Sequence, residues 1–226
     1  MPSDSIASPT QFSRDDARRY YDRAGSFQDK QGFYEDVALD ALVAHGGFAA
    51  ARSVLEVGCG TGRFAQRLLE DHLSASARYV GIDISATMVG LAKGRLAGWS
   101  DRAEVRQTGG GFDYAALGGP FDRAVCTYVF DLLSPADIAA ALAGIHAALA
   151  PGGLLCAAGL TQGTTTLSRL TSSTWSWIRG ISPSLVGGCR PLLLADHLPA
   201  GQWRLVHREV VVGATVPSEV VIAEAL

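Results

Sequence analysis

The chain has 226 residues, of which 48% are hydrophobic and 18% are charged, a size and apolar content that fit one α/β domain and are small for two. The charged fraction lies below the usual value of about 25%, which indicates an apolar substrate or an oligomer contact unless the alanine content accounts for it. The net charge is −3 and the basic residues are scattered, so nucleic acid is not expected as a partner.

The first fifty residues predict a loose polar tail followed by a helical cap. The tail covers residues 1–12 and lacks the apolar core of a signal peptide. The cap covers 13–50, with one helix over 13–24 and another over 33–45, which Gly46 and Gly47 end. The apolar stripe expected on the second helix consists of Val37, Ala41 and Ala44. Both helices are expected to pack over the carboxyl end of the first strand.

From residue 52 to 160, short apolar runs alternate with amphipathic helical segments. The predicted strands cover 53–57, 79–84, 103–108, 121–128 and 154–160. Helices are predicted from Arg63 to His72, from a cap at Ser85 to Leu96, and from a cap at Ser134 to the Pro151-Gly-Gly stop. Such alternation predicts a doubly wound, mostly parallel sheet. Two further strands, 203–212 and 219–225, are joined by residues 213–217, so the sheet should end in an antiparallel pair.

A glycine-rich turn follows the first predicted strand, in the sequence Glu56-Val-Gly58-Cys59-Gly60-Thr-Gly62. Glycines there allow a sharp turn and a close approach of a ligand to the backbone, at the sheet edge where doubly wound folds bind ligands. The spacing is not the G-x-G-x-x-G of dinucleotide folds, and Glu56 would repel a pyrophosphate. The turn therefore favours a cofactor with an ammonium or sulfonium group over NAD, although an NAD-dependent oxidoreductase stays an alternative.

Asp83 ends the second predicted strand, about 20 residues beyond the glycine turn. A carboxylate in that place can accept hydrogen bonds from both hydroxyls of a ribose, and Ile84 and Met88 offer apolar surface to an adenine ring. The alternative for Asp83 is a plain helix-capping role before Ser85.

These motifs together resemble the cofactor-binding half of the class I S-adenosylmethionine (SAM)-dependent methyltransferases. The resemblance covers about residues 52–160 and includes ExGxGxG from Glu56, GID at 81–83, and L-x-PGG at 149–153. It also includes the Phe112-Asp113 and Phe121-Asp122 pairs and the segment Thr127 to Leu133. The family implies a Rossmann-like sheet of seven strands with an antiparallel end, SAM as cofactor, and methyl transfer as the reaction.

The resemblance also implies roles for single residues. Gly58, Gly60 and Gly62, with Cys59 among them, would wrap the methionine part of SAM, and Asp83 would hold the ribose. Asp113 would accept from the adenine amino group and Phe112 would offer its backbone N–H, although the family's usual Gly before that Asp is replaced here by Phe112. Cys126, Thr127 and Tyr128 would line the methyl-transfer site. Tyr21 is placed at the methionine end, with a surface aromatic role as the alternative.

No unambiguous general base is visible, and Asp131 and His197 are the two candidates. No metal is expected, because the four cysteines form no CxxC pair and no acidic ligand cluster stands out. His45, His72, His146 and His207 are interpreted as structural. The cysteine usage fits a reducing cytoplasm, and no apolar run reaches the roughly 18 residues of a transmembrane helix.

Residues 161–198 form a long insertion that contains Trp175 and Trp177. We interpret it as a lid over a small or lipid-like methyl acceptor; the alternatives are an extra packed helix or a peripheral membrane contact. The sequence also leaves open a non-catalytic SAM-binding regulatory or partner subunit, because methyl transfer needs no diagnostic side chain.

Overall fold

The fold is that of a computed structural model, and the structure describes residues 14–25, 32–163 and 189–226. The predicted tail and most of the predicted lid, with Trp175 and Trp177, lie outside the described residues. Among the helices of those three ranges, none combines the length and apolar character that a membrane span requires.

Seven strands form one sheet in the order β3-β2-β1-β4-β5-β7-β6. The strands are β1 (Ser53–Val57), β2 (Arg78–Asp83), β3 (Ala103–Gln107), β4 (Phe121–Thr127), β5 (Leu149–Leu160), β6 (Trp203–Gly213) and β7 (Val216–Ala225). The first five are parallel to one another, and β7 pairs antiparallel with both β5 and β6. The seven-stranded sheet with an antiparallel end is therefore confirmed. The strand order reverses between β1 and β4, which creates a crevice at their carboxyl ends.

Helices cover both faces of the sheet. They are α1 (Arg14–Ala24), α2 (Gly32–Gly46), α3 (Arg63–Arg67), α4 (Ala86–Arg95) and α5 (Pro135–Ala148), and α3 continues into a π-helical turn over Leu68–His72. The apolar faces of α2, α3 and α4 pack on one side of the sheet, and α5 packs on the other side. The two predicted caps are confirmed: Ser85 Oγ accepts from Met88 N at 3.2 Å, and Ser134 Oγ accepts from Asp137 N at 3.1 Å.

Three details of the sequence prediction are wrong. The Pro151-Gly-Gly segment does not stop α5, because α5 already ends at Ala148 and β5 begins at Leu149 and contains that segment. The stripe Val37, Ala41 and Ala44 is not the buried face of α2, since Val37 is 41% exposed and Ala44 is exposed. The buried face instead carries Tyr34, Ala38, Leu39 and Leu42, because aromatic and leucine side chains bury more apolar area than alanine.

The hairpin between β6 and β7 is also tighter than predicted. Val216 pairs with Gly213, and Pro217 pairs with Val212. The turn thus contains only Ala214 and Thr215, both with positive φ (46° and 75°). These angles belong to the two-residue turns whose twist matches that of the strands, and the absence of Asn or Gly at the turn hid this from the sequence.

Candidate functional site

The glycine-rich turn packs tightly between β2, α4 and the chain after β4. The N–H groups of Gly58 and Cys59 donate to the Ile82 carbonyl at 2.8 and 3.0 Å. Gly58 has φ of +74°, and a side chain there would collide with Val129. At Gly62, with φ of +76°, an added Cβ would lie 3.1 Å from Cα of Ala92. Only glycine satisfies both the backbone angle and the space at these positions.

Asp83 anchors the glycine-rich turn from the end of β2. Its Oδ2 accepts from Gly60 N at 3.0 Å, and its Oδ1 accepts from Ser85 N at 2.8 Å. Burial raises the pKa of Asp83, and these backbone donors partly offset that rise. Because each carboxylate oxygen has a second lone pair, Asp83 can hold the turn and still accept from a ligand hydroxyl.

Glu56 is a buried carboxyl at the end of β1, 2% exposed. The Tyr79 hydroxyl donates to its Oε2 at 2.7 Å from the adjacent strand β2. Burial raises the pKa of Glu56 to about 8, although the Tyr79 hydrogen bond acts in the opposite direction. Tyr79 was not singled out from the sequence. Its signal is the parallel register, which places Tyr79 beside the strand that carries Glu56.

A cavity of about 630 Å³ opens at the carboxyl ends of β1, β2 and β4, a volume within the range of about 300–1,000 Å³ typical of small-molecule sites. Ten of the thirteen predicted cofactor residues line it: Tyr21, Glu56, Gly58, Cys59, Gly60, Asp83, Ile84, Met88, Phe112 and Thr127. We call Glu56 to Thr61 together with Ile82 to Met88 the loop side of the cavity.

The three other predicted cofactor residues do not line the cavity. Gly62 lies at the start of α3, and Asp113 is exposed on the surface. Cys126 is buried in the core next to α5, because successive side chains of a strand point to opposite faces and Thr127 occupies the cavity face. Their cofactor roles stay predictions.

The opposite wall, which we call the helix side, consists of Ala17 and Tyr21 on α1 and Glu35 and Leu39 on α2. Helix α1 is fastened to the start of α4 through Asp22, whose Oδ1 accepts from Ser85 Oγ at 2.6 Å. Residues of both α1 and α2 thus line the cavity at the carboxyl end of β1, which is consistent with the predicted position of these two helices.

Helix α2 is tied to α3 by ion pairs between the cavity wall and the surface. Arg63 donates to Glu35 Oε2 at 3.0 Å and also bonds to Asp36, and Arg67 pairs with Asp40 at 2.6 Å. Sequence reasoning missed Glu35 and Arg63, since they meet only when α2 crosses α3.

Tyr128 stands where β4 ends, between the loop side and the helix side. Its φ is +55°, an angle that a bulky residue adopts only at a cost of about 1–3 kcal/mol and that is concentrated at functional sites. Its hydroxyl lies 2.9 Å from Ser218 Oγ, and its ring packs edge-on against Tyr34 at 5.9 Å. Neighbouring parts of the fold thus hold Tyr128 in a strained backbone conformation at the cavity wall.

The two candidate bases have different surroundings. Asp131 is 1% exposed, its Oδ2 accepts from Leu160 N at 3.3 Å, and its Oδ1 has no hydrogen-bond partner among the described residues. Burial raises the pKa of Asp131 to about 7. His197 ends the short 3-10 helix Leu194–His197. Neither side chain is part of the described cavity lining, and both roles stay predictions.

The cavity is electrostatically acidic. Its described lining contains the carboxyl groups of Glu35, Glu56, Asp83 and Asp137 and one guanidinium, that of Arg63, which is paired with Glu35. A cationic ligand is therefore favoured over an anionic one. These carboxyl groups can accept from an ammonium or a ribose hydroxyl and attract a sulfonium, but they would repel a pyrophosphate.

Residues 55–155 match a family profile described as a methyltransferase domain. The matched residues make up somewhat less than half of the chain and are similar to a methyltransferase domain. A comparison with curated proteins finds no match. This family match, together with the fold, supports methyl transfer as the activity and SAM as the cofactor.

Several solved structures have a fold similar to that of this chain. The N-methyltransferase NodS from Bradyrhizobium japonicum WM9, in complex with S-adenosyl-L-homocysteine (SAH), is 18% identical with a TM-score of 0.64, over 92% of this chain and 98% of that one. An O-methyltransferase family protein from Burkholderia thailandensis is 15% identical with a TM-score of 0.70, over 95% and 64%. Magnesium protoporphyrin IX methyltransferase from Synechocystis PCC 6803, with bound SAH, is 20% identical with a TM-score of 0.60, over 97% and 89%. At these identities the likeness shows the fold.

Proposed function

We propose that this methyltransferase transfers the methyl group of SAM to a small-molecule acceptor, which enters the cavity on the helix side while the loop side holds the cofactor. The observation that carries the proposal is the arrangement of one cavity with two different walls. The loop side offers glycine backbone, Asp83 and Glu56, and the helix side offers Tyr21, Leu39 and the Glu35–Arg63 pair.

The loop side fits the parts of SAM one by one. Asp83 retains free lone pairs for the ribose hydroxyls, Ile84 and Met88 face the adenine, and Glu56 attracts the positive charges of the methionine part. The acidic lining supports this, because a buried carboxyl such as Glu56 is favoured in its charged form when a cation lies beside it.

SAM supplies a methyl group activated by its sulfonium, so that a nucleophile can displace it. The task of the protein is then to orient the acceptor and to exclude water. Tyr128 and Thr127 lie between the two walls and would form the boundary that the acceptor meets. The space beside Tyr128 and Thr127 is limited and partly aromatic, which favours a small acceptor. A long lipid chain would extend out of the cavity into solvent.

A proton must leave the acceptor if the nucleophile is an ordinary hydroxyl or an ammonium. We favour Asp131 over His197 for this step. One oxygen of Asp131 has no hydrogen-bond partner among the described residues, its pKa is near neutrality, and it adjoins Phe130 and Leu132 in the cavity wall. A phenolate or an amine that is already neutral would not need it.

The test is calorimetry followed by turnover. SAM and SAH should bind with one molecule per chain, and NADH, as the control, should not bind. SAH formation is then measured against phenols, amines, thiols and long-chain fatty acids, presented in solution and in vesicles. Turnover with a soluble phenol, amine or thiol is the expected result. Turnover only with vesicle-borne acyl chains would refute the small-molecule acceptor, and tight NADH binding would refute the cofactor placement.

A further inference from the structure

Three potential metal ligands meet on the outer surface, away from the cavity. His45 lies in the last turn of α2, and His207 and Glu209 lie on the edge strand β6. One ligand atom from each lies within 4.8 Å of the others. The His207 Nε2 to Glu209 Oε1 distance is 3.0 Å, and the His45 Nε2 to Glu209 Oε1 distance is 3.7 Å.

These spacings suit a bound ion. Zinc binds imidazole nitrogen at about 2.0–2.1 Å and carboxylate oxygen at about 2.0–2.2 Å in tetrahedral geometry, which separates neighbouring ligand atoms by about 3.4 Å. The two distances to Glu209 lie on either side of that value. Because a bound ion lies in the plane of each imidazole ring, His45 and His207 would have to turn out of their nearly parallel stack for all three atoms to reach one ion.

The surroundings favour a cation there. His45 is at the carboxyl end of α2, where the helix dipole stabilises positive charge. The rings of His45 and His207 lie side by side, with centroids 3.6 Å apart and planes at 14°, so both imidazoles are close to Glu209. The neighbouring Arg208 points to the other face of the strand and pairs with Glu219 at 2.6 Å, so it does not neutralise Glu209.

We propose that His45, His207 and Glu209 bind a divalent transition-metal ion, with zinc as the best fit, and that the ion fastens the end of α2 to the edge strand β6. Two imidazoles and one carboxylate suit zinc, nickel or copper, whereas magnesium and calcium prefer oxygen ligands alone. The side chains of His45, His207 and Glu209 are 44%, 26% and 36% exposed. The ion would thus be reached from solvent and complete its coordination with water.

No metal was expected from the sequence, because it contains no cysteine pair and no acidic cluster. His45 and His207 are 162 residues apart, and only the packing of α2 on β6 brings them together. The proposed ion would brace the same helix that carries Glu35 and Leu39 into the cavity wall. His45 is ten positions beyond Glu35, or about 15 Å along the helix, so the ion would act on stability and not touch the acceptor.

The test uses the full, untagged chain after treatment with a chelator and dialysis. Calorimetric titration with zinc chloride should show one ion per chain, magnesium chloride should show none, and the melting temperature should rise with zinc. His207→Ala and Glu209→Gln should each weaken zinc binding at least tenfold and remove the zinc-dependent rise. His72→Ala, which changes a histidine of another element, should bind zinc as the unchanged chain does.

Two further variants separate the loss of a metal ligand from misfolding and from zinc binding by a thiol. His45→Ala removes an exposed ligand, so its circular dichroism should match that of the unchanged chain while its zinc affinity falls at least tenfold. Cys189→Ser removes the half-buried thiol and should leave zinc binding intact. The proposal is overturned if the unchanged chain binds no zinc, or if binding survives in His207→Ala and Glu209→Gln. SAM binding, measured in parallel, separates this outcome from any failure of the proposed function.

Discussion

On the loop side of the cavity, the lining residues lie in the last positions of β1 and β2 or in the segments that directly follow these strands. On the helix side, Tyr21, Glu35 and Leu39 come from two separate helices. The loop side is built mainly from backbone groups fixed by glycine angles and by Asp83. The helix side is built from side chains that meet only through tertiary packing.

This difference indicates which wall of the cavity can change its ligand specificity by substitution. Few substitutions are compatible with the glycine-rich turn, so a wall built from its backbone groups suits a cofactor that is the same for every acceptor. A wall of side chains on helices can be exchanged residue by residue, so it suits the acceptor. If this division is correct, substitutions on the loop side should change the affinity for SAM, and substitutions on the helix side should change turnover or acceptor choice.

The largest effect is expected at Asp131. If it takes a proton from the acceptor, Asp131→Asn should lower kcat by about 10²-fold or more and leave the affinity for SAM unchanged. Because the base must be ionised and burial raises the pKa of Asp131 to about 7, kcat should rise as the pH increases through about 7. In the Asn variant this rise should be absent.

His197→Ala serves as the control for Asp131 and should have a kcat close to that of the unchanged enzyme. The melting temperature of Asp131→Asn should not fall at pH 8, because the variant no longer buries a charge there. A folded Asn variant with full kcat and an unaltered pH profile would show that Asp131 only anchors Leu160.

The next effect concerns the ribose. Asp83→Ala should weaken the binding of SAH by about 1–3 kcal/mol, or about 5–150-fold, because the hydroxyls lose a buried acceptor. Asp113→Ala changes an exposed residue outside the cavity lining and should change the affinity by no more than about twofold. A large loss in Asp113→Ala instead would support the adenine contact that the family resemblance implies.

Asp83 also holds the Gly60 N–H, so its substitution disturbs the turn as well as the ribose contact. Comparing adenosine with 2′,3′-dideoxyadenosine separates the two effects. The unchanged chain should prefer adenosine, and Asp83→Ala should lose that preference. If the preference stays the same in the variant, Asp83 does not hold the ribose and acts through the turn alone.

Much of the loop side could be predicted from the sequence, since glycine spacing, strand ends and caps are local signals. The seven-stranded sheet, the Ser85 and Ser134 caps and the antiparallel end all followed from such signals. What the sequence could not provide depends on distant pairs. The Tyr79–Glu56 hydrogen bond requires the β1–β2 register, and the Glu35–Arg63 ion pair requires the packing of α2 on α3.

The prediction of the buried face of α2 was wrong for a related reason. Its alanines and valine form a regular apolar stripe, but the larger Tyr34, Leu39 and Leu42 lie on the face that meets the sheet. The period of a helix reveals that one face is apolar, and the size of the side chains decides which face is buried when two are possible. The helix side was therefore harder to predict than the loop side.

The smallest of the three effects concerns Glu56 and sharpens the loop side. Burial raises the pKa of Glu56 to about 8, so the carboxyl is mostly protonated at neutral pH in the absence of a cation. SAM brings positive charge beside it and favours the ionised form. Binding should therefore release a proton, and the affinity for SAM should increase by up to about tenfold per pH unit between about pH 6 and 7.5. Calorimetry in buffers of different ionisation enthalpy measures that proton directly.

Two variants decide whether Glu56 is the source of the proton. Glu56→Gln should remove both the proton release and the pH dependence. Tyr79→Phe removes the hydrogen bond that lowers the pKa of Glu56, so the rise in affinity should move to higher pH. An unchanged pH profile in Glu56→Gln would assign the proton to another group and contradict the proposed contact with the methionine part.

Ionisation of Glu56 favours SAM binding, but it lowers the stability of the SAM-free chain. The pKa of Glu56 in the folded chain, about 8, exceeds its ordinary value of 4.5, so the folded chain binds more protons than the unfolded chain between these two pH values. The contribution of this group to stability is therefore fully present below about pH 4.5 and is lost as the pH rises through about 8. Glu56→Gln cannot ionise, so the SAM-free variant should melt at a higher temperature than the unchanged chain at pH 8 while binding SAM more weakly. If Glu56 contacts the cofactor, it should lower the stability of the free protein and strengthen the complex with SAM. A Glu56→Gln variant that is less stable than the unchanged chain at pH 8 would instead assign Glu56 a purely structural role.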